Sequence, residues 1–166
     1  MAAMVAQATG RPARLVLPRY DDMCITGKRH QYQSDYRTAF DAAGRIIAAE
    51  IHFYSNGGAF ADLSTAVLER TMLHAENAYH IPMMRVTGQV CRTNLPPNPA
   101  FRGFGGPQGI AVIENCMERI ADELQLDSLE VRRTNLYRDG DSQQNVTHYG
   151  QVVRDHVLGE LVDQPA

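Results

Sequence analysis

Apolar and polar residues alternate most regularly in two neighbouring runs of the chain. Tyr32 to Phe40 and Arg45 to Tyr54 both read as strands, and Asp41-Ala42-Ala43-Gly44 between them reads as a hairpin turn. In the second run Ile47, Ala49, Ile51 and Phe53 fall on one face, with Arg45, Glu50 and His52 mostly on the other. Met84 to Arg92 is a further strand candidate, and Arg14 to Leu17 a short one. Helical spacing takes over elsewhere. Val67, Leu68, Met72 and Leu73 predict a helix over Leu63 to Tyr79, and the apolar segment Ile110 to Leu124 predicts a long helix from about Pro107. Pro107 suits a first turn, where its missing N–H would have no partner anyway. Another helix is expected from Asp127 or Ser128, with Glu130 available to a capping box. Ala2 to Ala8 is a short helix stopped by Thr9-Gly10-Arg11-Pro12, and Val152 to Val162 closes the chain as an amphipathic one. Ser55 to Asp62 and Arg138 to Gly150 read as loops. With no internal repeat and no linker, the pattern implies one α+β domain over residues 1–166, an antiparallel or mixed sheet with packed helices.

Composition narrows the function classes. The 166 residues suffice for a core, and 44% hydrophobic with 21% charged residues is ordinary for a globular protein. A net charge of −3 implies no general affinity for nucleic acid or membrane surfaces. No apolar run approaches the roughly 20 residues of a membrane span. Cys24, Cys91 and Cys116 lie far apart without metal-ligand spacing, which fits buried thiols in a reducing cytoplasmic setting. His74 and His80 are expected to pair with Glu76 or cap carbonyls rather than hold a metal. Asp21-Asp22 with Lys28-Arg29-His30 is expected to form a solvated turn. Met72, Met83, Met84 and Met117 are expected to fill core or interface.

The most informative stretch is Asn98-Pro99-Ala100-Phe101-Arg102-Gly103-Phe104-Gly105-Gly106-Pro107-Gln108-Gly109. Glycines crowd two aromatic rings and a guanidinium directly before a helix. Such a loop brings bare backbone against a ligand near a helix N-terminus. Gly103, Gly105 and Gly106 match the dinucleotide fingerprint only loosely, and no Gly-Lys-Ser/Thr follows. On the residues alone, contact with a phosphate-bearing ligand and a tight structural turn both stand.

Five segments, in colinear order, resemble the molybdenum-binding subunit of the molybdenum hydroxylase family, in its purine-oxidising xanthine dehydrogenase branch. AFRGFGGPQG resembles the family's signature loop. RPARLVLPRYDDMCITGKRH, ADLSTAVLERTMLHAENAY, VCRTNLPPNPAFRGFGGPQG and THYGQVVRDHVLGELV resemble the regions around it. The resemblance implies a molybdopterin enzyme that hydroxylates hypoxanthine and xanthine to urate with oxygen from water. It also implies an FAD and 2Fe-2S partner subunit that takes the electrons. Aldehyde oxidase is the nearest rival, and a non-catalytic binding domain of the same fold is the alternative from another class.

Residue by residue, Arg70 matches the family arginine that faces the purine, where a fixed cation stabilises negative charge developing on the ring. Its bland alternative is an ion pair with Glu69 or Glu76. Phe104 matches the phenylalanine that packs on the substrate ring, its alternative being a core aromatic that covers the loop; Phe101 has the same two readings, with core the preferred one. Arg102 falls where the family loop meets the molybdenum, either balancing charge or bonding loop carbonyls. Gly103, Gly105 and Gly106 supply close backbone approach, and Gln108 bonds the cofactor or serves the helix's first turn. The family subunit is several times longer than this chain, and two of its active-site carboxylates have no counterpart here. The isolated chain is therefore expected neither to hold molybdopterin nor to turn over purine. It is also expected to self-associate through surfaces that otherwise pack on the rest of the subunit.

Overall fold

The computed structural model describes residues 1–138, 144–154 and 156–164. The hairpin forms where the alternation placed it. Strand β1 (Tyr32–Phe40) pairs antiparallel with β2 (Ile46–Gly58), and Asp41 Oδ1 accepts from the backbone N–H groups of Ala43 and Arg45, both at 2.9 Å. Strand β3 (Met83–Arg92) lies parallel to β2 on its other side, giving a mixed sheet in the order β1-β2-β3. β2 runs four residues past the predicted Tyr54, because β3 continues to pair with it as far as Gly58.

One expectation about the faces fails. A bulge between Ala39 and Phe40 pairs Phe40 with Ile46 and leaves Ile47 unpaired. The extra residue reverses the alternation locally, so Ile46 is buried and Ile47 is 44% exposed. Beyond it Ala49, Ile51, Phe53 and Ser55 face inward, while Glu50 and Arg85 pair at 3.6 Å on the outer face.

Helices cover that inner face. The helix α1 (Ala2–Thr9) is followed by α2 (Arg19–Ile25), which the sequence reading missed, and neither buries a residue. Arg14 to Leu17 is not a strand: among the described residues nothing pairs with it, and Leu15 and Val16 are exposed. α3 (Ser64–Leu73) stops six residues before the predicted end. His74 and Ala75 donate to carbonyls only three residues back, and Asn77 takes φ 51°. α4 (Gly106–Leu124) carries Pro107 in its first turn and sends Ile113, Cys116, Met117 and Ile120 into the core. α5 (Ser128–Asn135) is capped by the Asp127 carboxylate, which accepts from the Leu129 and Glu130 N–H groups. Glu130 itself pairs with Arg133 instead of closing a capping box. α6 (Leu158–Asp163) is shorter than predicted. Residues 139–143, within the expected irregular stretch, and residue 155, within the expected closing helix, lie outside the described residues.

Three side-chain expectations change as well. Met117 is core, but Met83 is 60% exposed. Cys24 is exposed and only Cys116 is fully buried, where desolvation pushes its thiol up to about 12.

Asn135 ties the hairpin to α5. Its Oδ1 accepts from Ile46 N–H, and its Nδ2 donates to the carbonyls of Gly44 and Val131, each at 2.8 Å. The side chain is buried, so Asn135→Leu strands two hairpin groups without partners. The expected loss is about 3 kcal/mol in chemical denaturation; a loss below about 1 kcal/mol would mean those groups find other partners.

Candidate functional site

The glycine stretch becomes a turn that packs under α3. Gly103, Phe104 and Gly105 are consecutive and all take left-handed φ, at 88°, 51° and 97°. That conformation strains phenylalanine and suits its glycine neighbours. Phe104 N–H donates to Phe101 C=O at 2.8 Å and Gly106 N–H to Gly103 C=O at 2.9 Å. The N–H groups of Arg102, Gly103 and Gly105 have no acceptor among the described residues.

Space explains the glycines on the α3 side. A Cβ on Gly105 would lie 2.1 Å from Val67 O, and one on Gly109 2.3 Å from Thr71 O. Thr71 fastens the joint, since its hydroxyl is within 3.0 Å of both Gly105 O and Val67 O and 2.9 Å from the Tyr32 hydroxyl. Arg70 borders this face of α3, three residues after Val67 and four before His74, and so shares their stripe. The ring of His74 lies beside Gly106, and its Nδ1 meets Arg70 O at 3.1 Å.

Arg70 lies on the surface, as its bland reading has it, but the acid partner of that reading is absent among the described residues. It is exposed and makes no ion pair, whereas Glu76 turns inward to His148 Nδ1 at 2.9 Å. Phe101, Arg102 and Gly103 are exposed, Phe104 is half-buried, and Gly105 and Gly106 are buried. The turn therefore offers its first half outward and anchors its second half. Phe101, expected in the core, is 54% exposed.

The segment before β1 also changes the picture. It is no solvated turn: Asp22 belongs to α2, and residues 27–30 run against the glycine stretch. Lys28 N–H donates to Asn98 Oδ1 at 3.1 Å, and the amide of Asn98 donates to Asn56 O at 2.9 Å. Gln108 Nε2 reaches His30 O at 3.3 Å, while Gln108 Oε1 is buried without a partner. Ala59 N–H donates to Leu95 O at 2.9 Å and ties the loop after β2 to the segment after β3. Sequence reasoning missed Arg29, His30 and Thr71, because their partners lie 34 to 78 positions away. The only local signal was the glycine stretch they serve.

His30 is buried, with Nε2 at 2.8 Å from Ser64 Oγ. Desolvation holds its imidazole below the ordinary 6.5, opposed by the charge of Asp62. The unfolded chain therefore binds this proton at a higher pH than the folded one. The contribution is complete above pH 6.5 and is lost as the pH falls below it. Denaturation midpoints at about pH 7.5 and 5.5 are expected to differ more in the parent than in His30→Gln; an equal acid loss would remove His30 as the cause.

The Molybdopterin cofactor-binding domain model matches residues 1–136. Xanthine dehydrogenase/oxidase of Rattus norvegicus is 44% identical over 98% of this chain and 12% of its own length. Aldehyde oxidase 3 of Mus musculus is 51% identical over 83% of this chain and 10% of its own length. In the crystal structure of the aldehyde oxidoreductase from Desulfovibrio desulfuricans, 17% of that chain superposes on 96% of this one, with TM-score 0.84 and 31% identity. The chain thus spans about 12% of the length of its xanthine dehydrogenase relatives.

Proposed function

The chain belongs to the molybdopterin cofactor-binding domain family, and from that premise we propose that it supplies one wall of the cofactor and purine pocket of a xanthine dehydrogenase-type enzyme. The enzyme's reaction is hydroxylation of hypoxanthine and xanthine to urate. The observation that carries this reading is a turn with three unpaired N–H groups, seated under the helix whose Arg70 has no acid partner among the described residues.

The residues present fit such a cofactor. A pterin edge offers both donors and acceptors, and its phosphate and dithiolene are anionic. The N–H groups of Arg102, Gly103 and Gly105 suit the acceptors, and the orphaned Gln108 Oε1 suits a donor. Arg102 adds a cation on the exposed half of the turn. When bound, the cofactor supplies the oxidation–reduction chemistry; the chain binds, orients and polarises. Arg70 stabilises the negative charge that builds on purine nitrogen and carbonyl oxygen as the ring is oxidised. Phe104 packs against the flat heterocycle, worth about 1 kcal/mol beyond area burial.

The rest of a longer molybdenum subunit supplies the remaining walls in this reading, and an FAD and 2Fe-2S unit receives the electrons, in an oligomeric assembly. An aldehyde oxidase-type activity is the second reading, favoured by the 51% identity to aldehyde oxidase 3. Steady-state assay of the full-length enzyme decides between them. Urate formed from xanthine with a kcat/KM well above that for aromatic aldehydes supports the proposal; the reverse order replaces it.

A further inference from the structure

Arg29 lies where residues 26–31 cross the glycine stretch. The crossing is tight, since a Cβ on the neighbouring Gly27 would sit 2.0 Å from Pro97 O. Arg29 Nη2 donates to the carbonyl of Arg102 at 2.6 Å, and its guanidinium lies 4.5 Å above the centre of the Phe101 ring. Nη1 is buried without a partner. Among the described residues Arg29 makes no ion pair. A carbonyl and an aromatic ring therefore hold it, both from the loop immediately before the strained residues.

We infer that Arg29 is the positioning residue of the glycine turn, fixing the peptide between Arg102 and Gly103 by gripping its carbonyl and the ring beside it. No peptide bond in the described chain is cis, so C=O and N–H of one peptide point in opposite directions. With the Arg102 carbonyl turned to Arg29, the Gly103 N–H points away from Arg29, and it has no protein acceptor among the described residues. The left-handed run Gly103-Phe104-Gly105 begins at the next residue. A flat guanidinium performs both tasks at once, donating along its edge and stacking through its face. A lysine ammonium supplies the donor without the matching stack. Only the identity of what meets the Gly103 N–H rests on the cofactor reading; the clamp does not.

The test is amide exchange by NMR on the 166-residue chain. Arg29→Met is expected to speed exchange at Phe104 and Gly106 about tenfold or more, through loss of a charge-assisted bond and a cation–π contact. The Gly103 amide resonance shifts, and amides at the centre of β2 stay within about twofold. Arg29→Lys is expected to recover part of the protection. Phe101→Leu removes an exposed ring and leaves the fold intact; it is expected to give a smaller acceleration at the same two amides, and it carries the test if Arg29→Met does not fold. Unchanged exchange at Phe104 and Gly106 in the folded variants would overturn the assignment. So would an acceleration spread evenly over all three strands, which would make Arg29 a general stabiliser. If the Arg29 effects hold while cofactor loading of the full-length enzyme leaves the Gly103 amide unchanged, the cofactor reading fails and the positioning role stands.

Discussion

Gly105→Ala is expected to cost about 4 kcal/mol of stability and to separate the glycine turn from α3. Two effects add. The new Cβ would lie 2.1 Å from Val67 O and 2.7 Å from Thr71 Oγ1, and the first of these is backbone that cannot rotate away. Overpacking of this kind costs about 1–3 kcal/mol. Position 105 also sits at φ 97°, where an L side chain adds about 1–2 kcal/mol of strain. Against a domain stability of about 5–15 kcal/mol the loss is large. Chemical denaturation of parent and variant measures it. A change below about 1 kcal/mol would mean that the turn does not press on α3. Gly10→Ala is the control, because its φ is also positive but nothing lies within 4 Å of its Cβ.

Arg70→Met in the full-length enzyme is expected to lower kcat with xanthine about 10²- to 10³-fold, with a much smaller change in KM. A preorganised cation aimed at developing charge acts on the transition state more than on the bound substrate, and removing one such group typically costs this much. Arg70→Lys keeps a charge but loses the planar fork, so partial activity is expected. Cofactor content measured on the same preparations separates loss of chemistry from loss of binding. Normal kcat in a fully loaded Arg70→Met enzyme would remove the proposed role, and a purely raised KM would reduce Arg70 to uniform binding.

The parts of this fold that could be read directly were those governed by short-range rules. β1 begins and ends at its predicted residues, Asp41-Ala42-Ala43-Gly44 forms the turn, and Pro107 opens α4. The turn and the proline are decided within a few positions, and the turn in its place sets the register of β1 on β2. The misreadings were set by distant partners. Gly58 remains in β2 because β3 pairs with it, and Ile47 turns outward because a bulge forms against β1. α3 ends early where Glu76 turns in to meet His148, 72 positions on. α2 carries Tyr, Asp and Cys, which are indifferent helix formers, and it is recognisable only from Asp21 and Asp22 in its first turn after Pro18.

For the candidate site, the glycines and their neighbours were legible as a ligand-type loop, and the family resemblance singled out Arg70, Arg102 and Phe104 within it. What holds the loop was not legible. Arg29 and His30 read as surface charge because nothing near them in sequence reveals a carbonyl and a hydroxyl brought from far along the chain. Thr71 read as one more helix residue, although its hydroxyl joins α3, the turn and β1.

On the proposed function, the backbone of the glycine turn receives the molybdenum cofactor. Amide hydrogen exchange on cofactor-loaded and cofactor-free full-length protein tests it most directly, read at Arg102, Gly103 and Gly105. Loading is expected to slow exchange at these amides about tenfold or more, because groups without a protein acceptor gain one. Equal exchange at all three positions in the two forms would contradict the account.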